Sequence, residues 1–154
     1  MKLLYKRIII ISCFFRHPYM ANCDKDKIIF IVDDSPIDIE LTTIALQVTG
    51  RQLNVRSATD GKSALAMLRN GDELPALILL DIKMPGMDGV EVLREIRAHD
   101  RLRDLPVVVI TSSALESDRA DTIAAGASGY LQKPLALAKF SSDLESIVHR
   151  WLPI

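Results

Sequence analysis

The chain of 154 residues has the length of about one domain and suffices to bury one continuous core. With 49% apolar and 25% charged residues it has the balance of an ordinary soluble globular protein, and a net charge of −1 supplies no basic footprint for a nucleic acid. Its two cysteines, Cys13 and Cys23, make neither a disulfide framework nor a CxxC metal pair, which fits a reducing, cytoplasmic setting.

The chain opens on MKLLYKRIIIISCFF, where Lys2, Lys6 and Arg7 precede an apolar run from Ile8 to Phe15. This is the outline of a signal peptide, but the run is too short to span a bilayer and no small-residue cleavage site follows it. Met20 opens a conventional start, MANCDKDKIIFIVDD. Met1–Tyr19 is therefore read as an upstream extension outside the fold, with start-codon choice as one origin. A weak membrane-surface anchor is the sharper alternative; stable insertion is not expected. Residues 1–26 are assigned to the extension and 27–152 to one domain.

From Lys27 the pattern alternates. Ile28–Val32 is an apolar run ending in Asp33-Asp34, and Ser35-Pro36 then supplies an N-cap and a proline at the first helical position. Ile37, Leu41, Ile44, Ala45 and Val48 recur at helical spacing up to Gly50. Leu53–Ala58 reads as a second strand, and Asp60 caps a helix bearing Ala64, Leu65 and Leu68. Ala76–Leu80 is a third apolar run ending on Asp81. Asp88 and Glu91 have capping-box spacing, opening a helix with Val90, Leu93 and Ile96 inward. Pro106–Ile110 is a fourth strand ending on Thr111, followed by a helix around Ser117–Ala125. Ser128–Gln132 is a short fifth strand ending on Lys133-Pro134. The last helix carries Phe140, Leu144, Ile147, Val148 and Trp151 at helical spacing. Five strand–helix units predict a parallel sheet covered on both faces, and unbroken apolar strands agree with that burial.

Ligands of open α/β sheets bind beyond the carboxyl ends of the strands. There the predicted sheet gathers Asp33, Asp34, Asp81, Thr111 and Lys133. Close carboxylates repel and raise one another's pKa unless a cation intervenes, and a hard ion such as Mg²⁺ suits carboxylates, waters and a phosphoryl oxygen. An ionised Asp81 is then a nucleophile toward phosphorus, with Lys133 neutralising phosphoryl oxygens and Thr111 donating a hydrogen bond. Taken singly, each of these residues is more often a cap, a turn former or a solvated loop residue; the functional reading rests on their company.

The segments IVDDSP (Ile31–Pro36), LLDIKMPGMDG (Leu79–Gly89), VITSS (Val109–Ser113) and GYLQKP (Gly129–Pro134), in this order, resemble the response-regulator receiver domain of two-component signalling. The resemblance covers nearly all of Lys27–Leu152. It implies a flavodoxin-like α/β fold, a doubly wound five-stranded parallel sheet of order 2-1-3-4-5 with five helices. It makes Asp81 the phosphorylated residue and Asp33 and Asp34 the acidic pair, Asp34 being preferred as direct Mg²⁺ ligand. The backbone carbonyl of Lys83 becomes a further ligand. Thr111 matches the switch hydroxyl, Lys133 the lysine that pairs with the phosphoryl group, and Tyr130 the aromatic switch. A cis Lys133–Pro134 bond is implied, against the trans preference of X–Pro bonds generally. Lys83 and Ser113 fall where phosphoryl lifetime is tuned, Lys83 either shielding the phosphoryl group or pairing with it. Arg101–Ser113 and the tail at Trp151 are similar to stand-alone receivers that partner phytochrome-type or hybrid kinases.

The resemblance implies a single-domain response regulator. A histidine kinase or histidine phosphotransfer protein would supply the phosphoryl group. Output would pass to an unidentified protein target, or onward along a phosphorelay, with no activity beyond self-phosphorylation and autodephosphorylation. The apolar terminal helix would allow a homodimer. An enzyme of the haloacid-dehalogenase type would place a second aspartate two residues after the nucleophile, where this chain has Lys83.

Overall fold

In a computed structural model of the protein, which describes residues 27–153, five strands alternate with five helices. In chain order they are β1 (Ile28–Val32), α1 (Pro36–Val48), β2 (Asn54–Ala58), α2 (Gly61–Asn70) and β3 (Leu77–Leu80). There follow α3 (Gly89–Ala98), β4 (Val107–Thr111), α4 (Glu116–Ala124), β5 (Gly129–Gln132) and α5 (Leu137–Trp151). The strands are parallel in the order β2-β1-β3-β4-β5, as the resemblance implies. The N-terminal extension, with Cys13 and Cys23, lies outside the described residues. Among the described residues no helix is long and apolar enough to cross a membrane.

The three inner strands are buried throughout because each face meets a helical layer. Alternation divides their side chains between two cores. Phe30, Val32, Ile78 and Leu80 pack with Leu65 and Leu68 of α2 and with Val92, Leu93 and Ile96 of α3. Ile29, Ile31, Leu77 and Leu79 pack with Ala45 and Leu46 of α1 and with Phe140, Leu144 and Val148 of α5.

Local chemistry starts the helices. Ser35 caps α1 by accepting from the Asp38 amide, with Pro36 in the first turn. Asp60 caps α2 through the Ser63 amide. Asp88 and Glu91 form a reciprocal capping box on α3. Helices α4 and α5 begin without a side-chain cap.

The structure corrects several expectations. Strand β4 begins at Val107 rather than Pro106, and Thr111 is its last residue, opposite Gln132. On α3, Val92 faces the core and Val90 is half-buried. The helical repeat of α1 does not mark its core face: Ile37 and Val48 are 69% and 66% exposed, Leu41 and Ile44 are exposed too, and burial falls on Thr42, Ala45 and Leu46. The apolar stripe of α5 that suggested self-pairing is spent on the second core. No peptide bond among the described residues is cis, so Lys133–Pro134 follows the ordinary trans preference.

Candidate functional site

The parallel register brings the strand ends together. The Asp33 amide donates to Ala58 O and the Asp81 amide to Val32 O, so each aspartate extends its strand by one ladder position. The Lys133 amide likewise donates to Thr111 O at 2.7 Å. One sheet edge therefore carries every residue that the strand ends predicted.

Asp33, Asp34 and Asp81 each offer a carboxylate oxygen, and these oxygens lie within 4.8 Å of one another. Asp33 and Asp81 are buried, and Asp34 is exposed. Asp33 is firmly held: Oδ1 accepts from the Ser35 amide at 2.9 Å and Oδ2 from Lys133 Nζ at 2.7 Å. Asp81 differs, since its Oδ1 is buried without a hydrogen-bond partner. Burial pushes the Asp81 carboxyl above the usual carboxylate range; the Lys133 charge opposes this, and the Asp33 charge adds to it.

Lys133 bridges Asp33 and, at 3.1 Å, Asp38. Burial alone would lower its pKa, but the bond to Asp33, the Asp33 charge and the bond to Asp38 outweigh it, so the ammonium holds its proton above the ordinary lysine range. Asp38 is not legible as a site residue from sequence. It lies in the first turn of α1, where an acid is commonplace because it favours the helix dipole, and that bland role hides it.

Thr111 is fully buried, and its Oγ1 accepts from the Ser113 amide at 3.1 Å. The half-buried Tyr130 donates its hydroxyl to the Ser113 carbonyl at 3.2 Å, with the Arg119 guanidinium 5.7 Å over its ring. Ser113 thus touches both expected switch residues. Lys83, in the β3–α3 connection, pairs with Asp118 of α4 at 2.8 Å. Asp118 is a second acid hidden in a helix's first turn.

Gly89 opens α3 directly beneath this connection. A Cβ there would lie 2.6 Å from Ile82 Cα and closer still to the Asp81 carbonyl, both of them backbone that cannot swing away. The missing side chain is what lets α3 abut the acceptor loop. On the other flank, a cleft of about 300 Å³ is lined by Asp38, Leu41, Lys133, Pro134, Leu135 and Leu137.

The family model of the response regulator receiver domain matches residues 29–145. The chain belongs to the response regulator receiver domain family. Its receiver is 35% identical over 130 residues to the chemotaxis protein CheY-3 of Vibrio cholerae, an alignment that covers 84% of this chain and 98% of that protein. Of a longer relative, the sensor histidine kinase CheAY of Helicobacter pylori, the chain spans only 14%. The structure of the phosphorylated cyanobacterial phytochrome response regulator RcpA superposes with a TM-score of 0.77 at 34% identity, over 82% of this chain and 94% of that one. The Mn²⁺-bound form of response regulator Rcp1 superposes with a TM-score of 0.74 at 32% identity, over 82% and 95%.

The acidic pocket of this receiver suits a small divalent cation. The donors are carboxylate oxygens, which favour Mg²⁺-like ions, and the unpartnered Asp81 Oδ1 has a lone pair to satisfy.

Proposed function

We propose that the protein is a phospho-acceptor switch in which Asp81 takes a phosphoryl group from a histidine kinase or histidine phosphotransfer protein. The observation that carries this reading is the unpartnered Asp81 Oδ1, set among Asp33, Asp34 and Lys133 at the carboxyl edge of the sheet. Both oxygens of Asp33 are engaged by an amide and an ammonium, and Asp34 is exposed to water, whereas Asp81 keeps a desolvated oxygen for an electrophile.

In the transfer, an Asp81 oxygen bonds to phosphorus as the donor's phosphorus–nitrogen bond breaks. The imidazole leaves with the electron pair and takes up a proton. Asp33, Asp34, Asp81 and the Lys83 carbonyl would hold Mg²⁺, which when bound neutralises charge on the phosphoryl oxygens. Lys133 turns from Asp33 toward the phosphoryl group. Thr111, whose hydroxyl proton is not committed to Ser113, donates to it, and Tyr130 repacks into the space left. The outcome is a population shift on the face of α4, β5 and α5 that a protein partner reads. Water returns the switch by hydrolysing the acyl phosphate.

A donor must bring its imidazole to Asp81 over the rim of the site. That rim carries exposed Leu41 of α1, Leu135 of the β5–α5 connection and Leu137 at the start of α5, all three lining the 300 Å³ cleft. An apolar helix surface flanking a phosphohistidine is the chemistry that fits it. The domain assignment of 27–152 and a cytoplasmic setting belong to the same reading.

The test is uptake from acetyl phosphate with Mg²⁺, read by intact mass. The expected result is one added phosphoryl group, lost in Asp81→Asn and without Mg²⁺. Undiminished uptake by Asp81→Asn would overturn the proposal.

A further inference from the structure

We infer that Asp118 is a positioning residue: it parks the Lys83 ammonium away from Asp81 before phosphorylation and surrenders it to the phosphoryl group afterwards, while a second bond from the same carboxylate holds Ser113, which touches both switch side chains. The inference rests on Asp81 being the acceptor and adds to that reading the residue that holds both the lifetime lysine and Ser113.

Lys83 stands two residues beyond Asp81 in the chain, yet its ion pair is with Asp118, at 2.8 Å and 3.0 Å to the two carboxylate oxygens. A lysine held by both oxygens of one carboxylate is not on loan to a second. Asp118 is only 15% exposed while Lys83 is 54% exposed, so the acid is the fixed partner and the lysine the one able to move. Both line a polar cavity of about 240 Å³ beside the acceptor loop, together with Asp88, Arg94 and Asp121.

The second half of the argument is Ser113. Its Oγ donates to the same Asp118 carboxylate that holds Lys83. Its amide donates to Thr111 Oγ1 and its carbonyl accepts from the Tyr130 hydroxyl. One residue is thus bonded to Asp118, Thr111 and Tyr130 at once. Asp118 is charge-balanced by Lys83, and its carboxyl is held below the usual range by the Lys83 bond first and the Ser113 bond second.

Phosphorylation replaces the single charge of Asp81 by a group of roughly −2 close to Lys83. The ammonium then has a stronger anion within reach than the carboxylate it leaves. A departed Lys83 strips Asp118 of its counter-ion, while the Ser113 Oγ bond to the carboxylate stays in place. Over the phosphoryl group, the lysine obstructs the approach of water.

Two variants separate the two roles. Asp118→Asn removes the charge that holds Lys83 but keeps an oxygen for Ser113; Asp118→Ala removes both. With the acyl phosphate formed from acetyl phosphate and Mg²⁺, Asp118→Asn is expected to slow autodephosphorylation by about threefold or more, the scale of one partly shielded ion pair. The same substitution on a Lys83→Ala background is expected to have no effect, because the lysine it releases is gone. Fluorotyrosine NMR, with Tyr130 assigned by Tyr130→Phe, gives the second readout. Before phosphorylation, Asp118→Ala shifts the Tyr130 resonance and Asp118→Asn leaves it near the wild-type position; a wild-type resonance in Asp118→Ala overturns the hold on Ser113. An unchanged rate in Asp118→Asn, or an equal effect with and without Lys83, overturns the inference. Absence of phosphoryl uptake by the wild-type chain overturns the acceptor reading instead, so the two failures are distinguishable.

Discussion

Lys133 and Asp33 form a 2.7 Å ion pair almost wholly shielded from water, with side chains 16% and 5% exposed. The lysine therefore neutralises an acid that a divalent cation would otherwise claim. Removing its charge while keeping its bulk leaves three carboxylates with no counter-ion. Lys133→Met is expected to bind Mg²⁺ several-fold more tightly than the wild type in calorimetric titration, while losing most phosphoryl uptake. Weaker Mg²⁺ binding would show that Lys133 supports the cation site rather than competing with it.

Asp81 has a stability consequence with a definite sign. Burial raises its pKa in the fold, so the native state holds the proton more tightly than the unfolded chain. Such a group lends stability at low pH and loses it as pH rises through the folded pKa. At neutral pH without divalent ions, Asp81→Asn should be more stable than the wild type, by about 1 kcal/mol for relieving one buried unpaired oxygen. Urea titrations should show the gap closing as pH falls through the carboxylate range, and also when Mg²⁺ is added. Equal stability at neutral pH without Mg²⁺ would contradict the burial argument.

The buried Thr111 hydroxyl accepts from the Ser113 amide, so Thr111→Ala strands a donor and costs about 1 kcal/mol, whereas Thr111→Ser keeps the contact and costs less in hydrogen bonding. Phosphorylation should still move the Tyr130 resonance in the serine variant and fail to do so in the alanine variant. A response surviving in Thr111→Ala would assign the coupling to another path.

Two glycines give a matched contrast. Gly50 has φ +73°, and a methyl group added there would find nothing within 4 Å, so Gly50→Ala meets only the left-handed backbone penalty, about 1 kcal/mol. Gly89→Ala drives a methyl into the Asp81–Ile82 backbone and is expected to cost about 3 kcal/mol or to prevent folding. Similar denaturation midpoints for the two variants would refute the close-approach argument.

The sheet was legible because its inner strands are buried on both faces, leaving Ile28–Val32 and Val107–Ile110 as unbroken apolar runs that end on polar residues. The caps at Ser35, Asp60 and Asp88 were legible because each side-chain acceptor must stand at a fixed distance from the amide it serves. The core face of α1 was not. Apolar residues lie on both sides of that helix, and periodicity records where they recur, not which side the sheet takes. Asp38 and Asp118 were missed because an acid in a first helical turn has an ordinary explanation, and only folding sets Lys133 and Lys83 against them. The charges a residue meets across the fold are absent from its local pattern.

The exposed side of α1 carries a thermodynamic signature. Water around Ile37, Leu41, Ile44 and Val48 contributes heat capacity that vanishes when the surface is covered. A donor seated there would bind with a negative heat-capacity change, and its affinity would pass through a maximum as temperature varies. The switch would then respond to warmth as well as to phosphate, through the temperature dependence of the encounter that loads it.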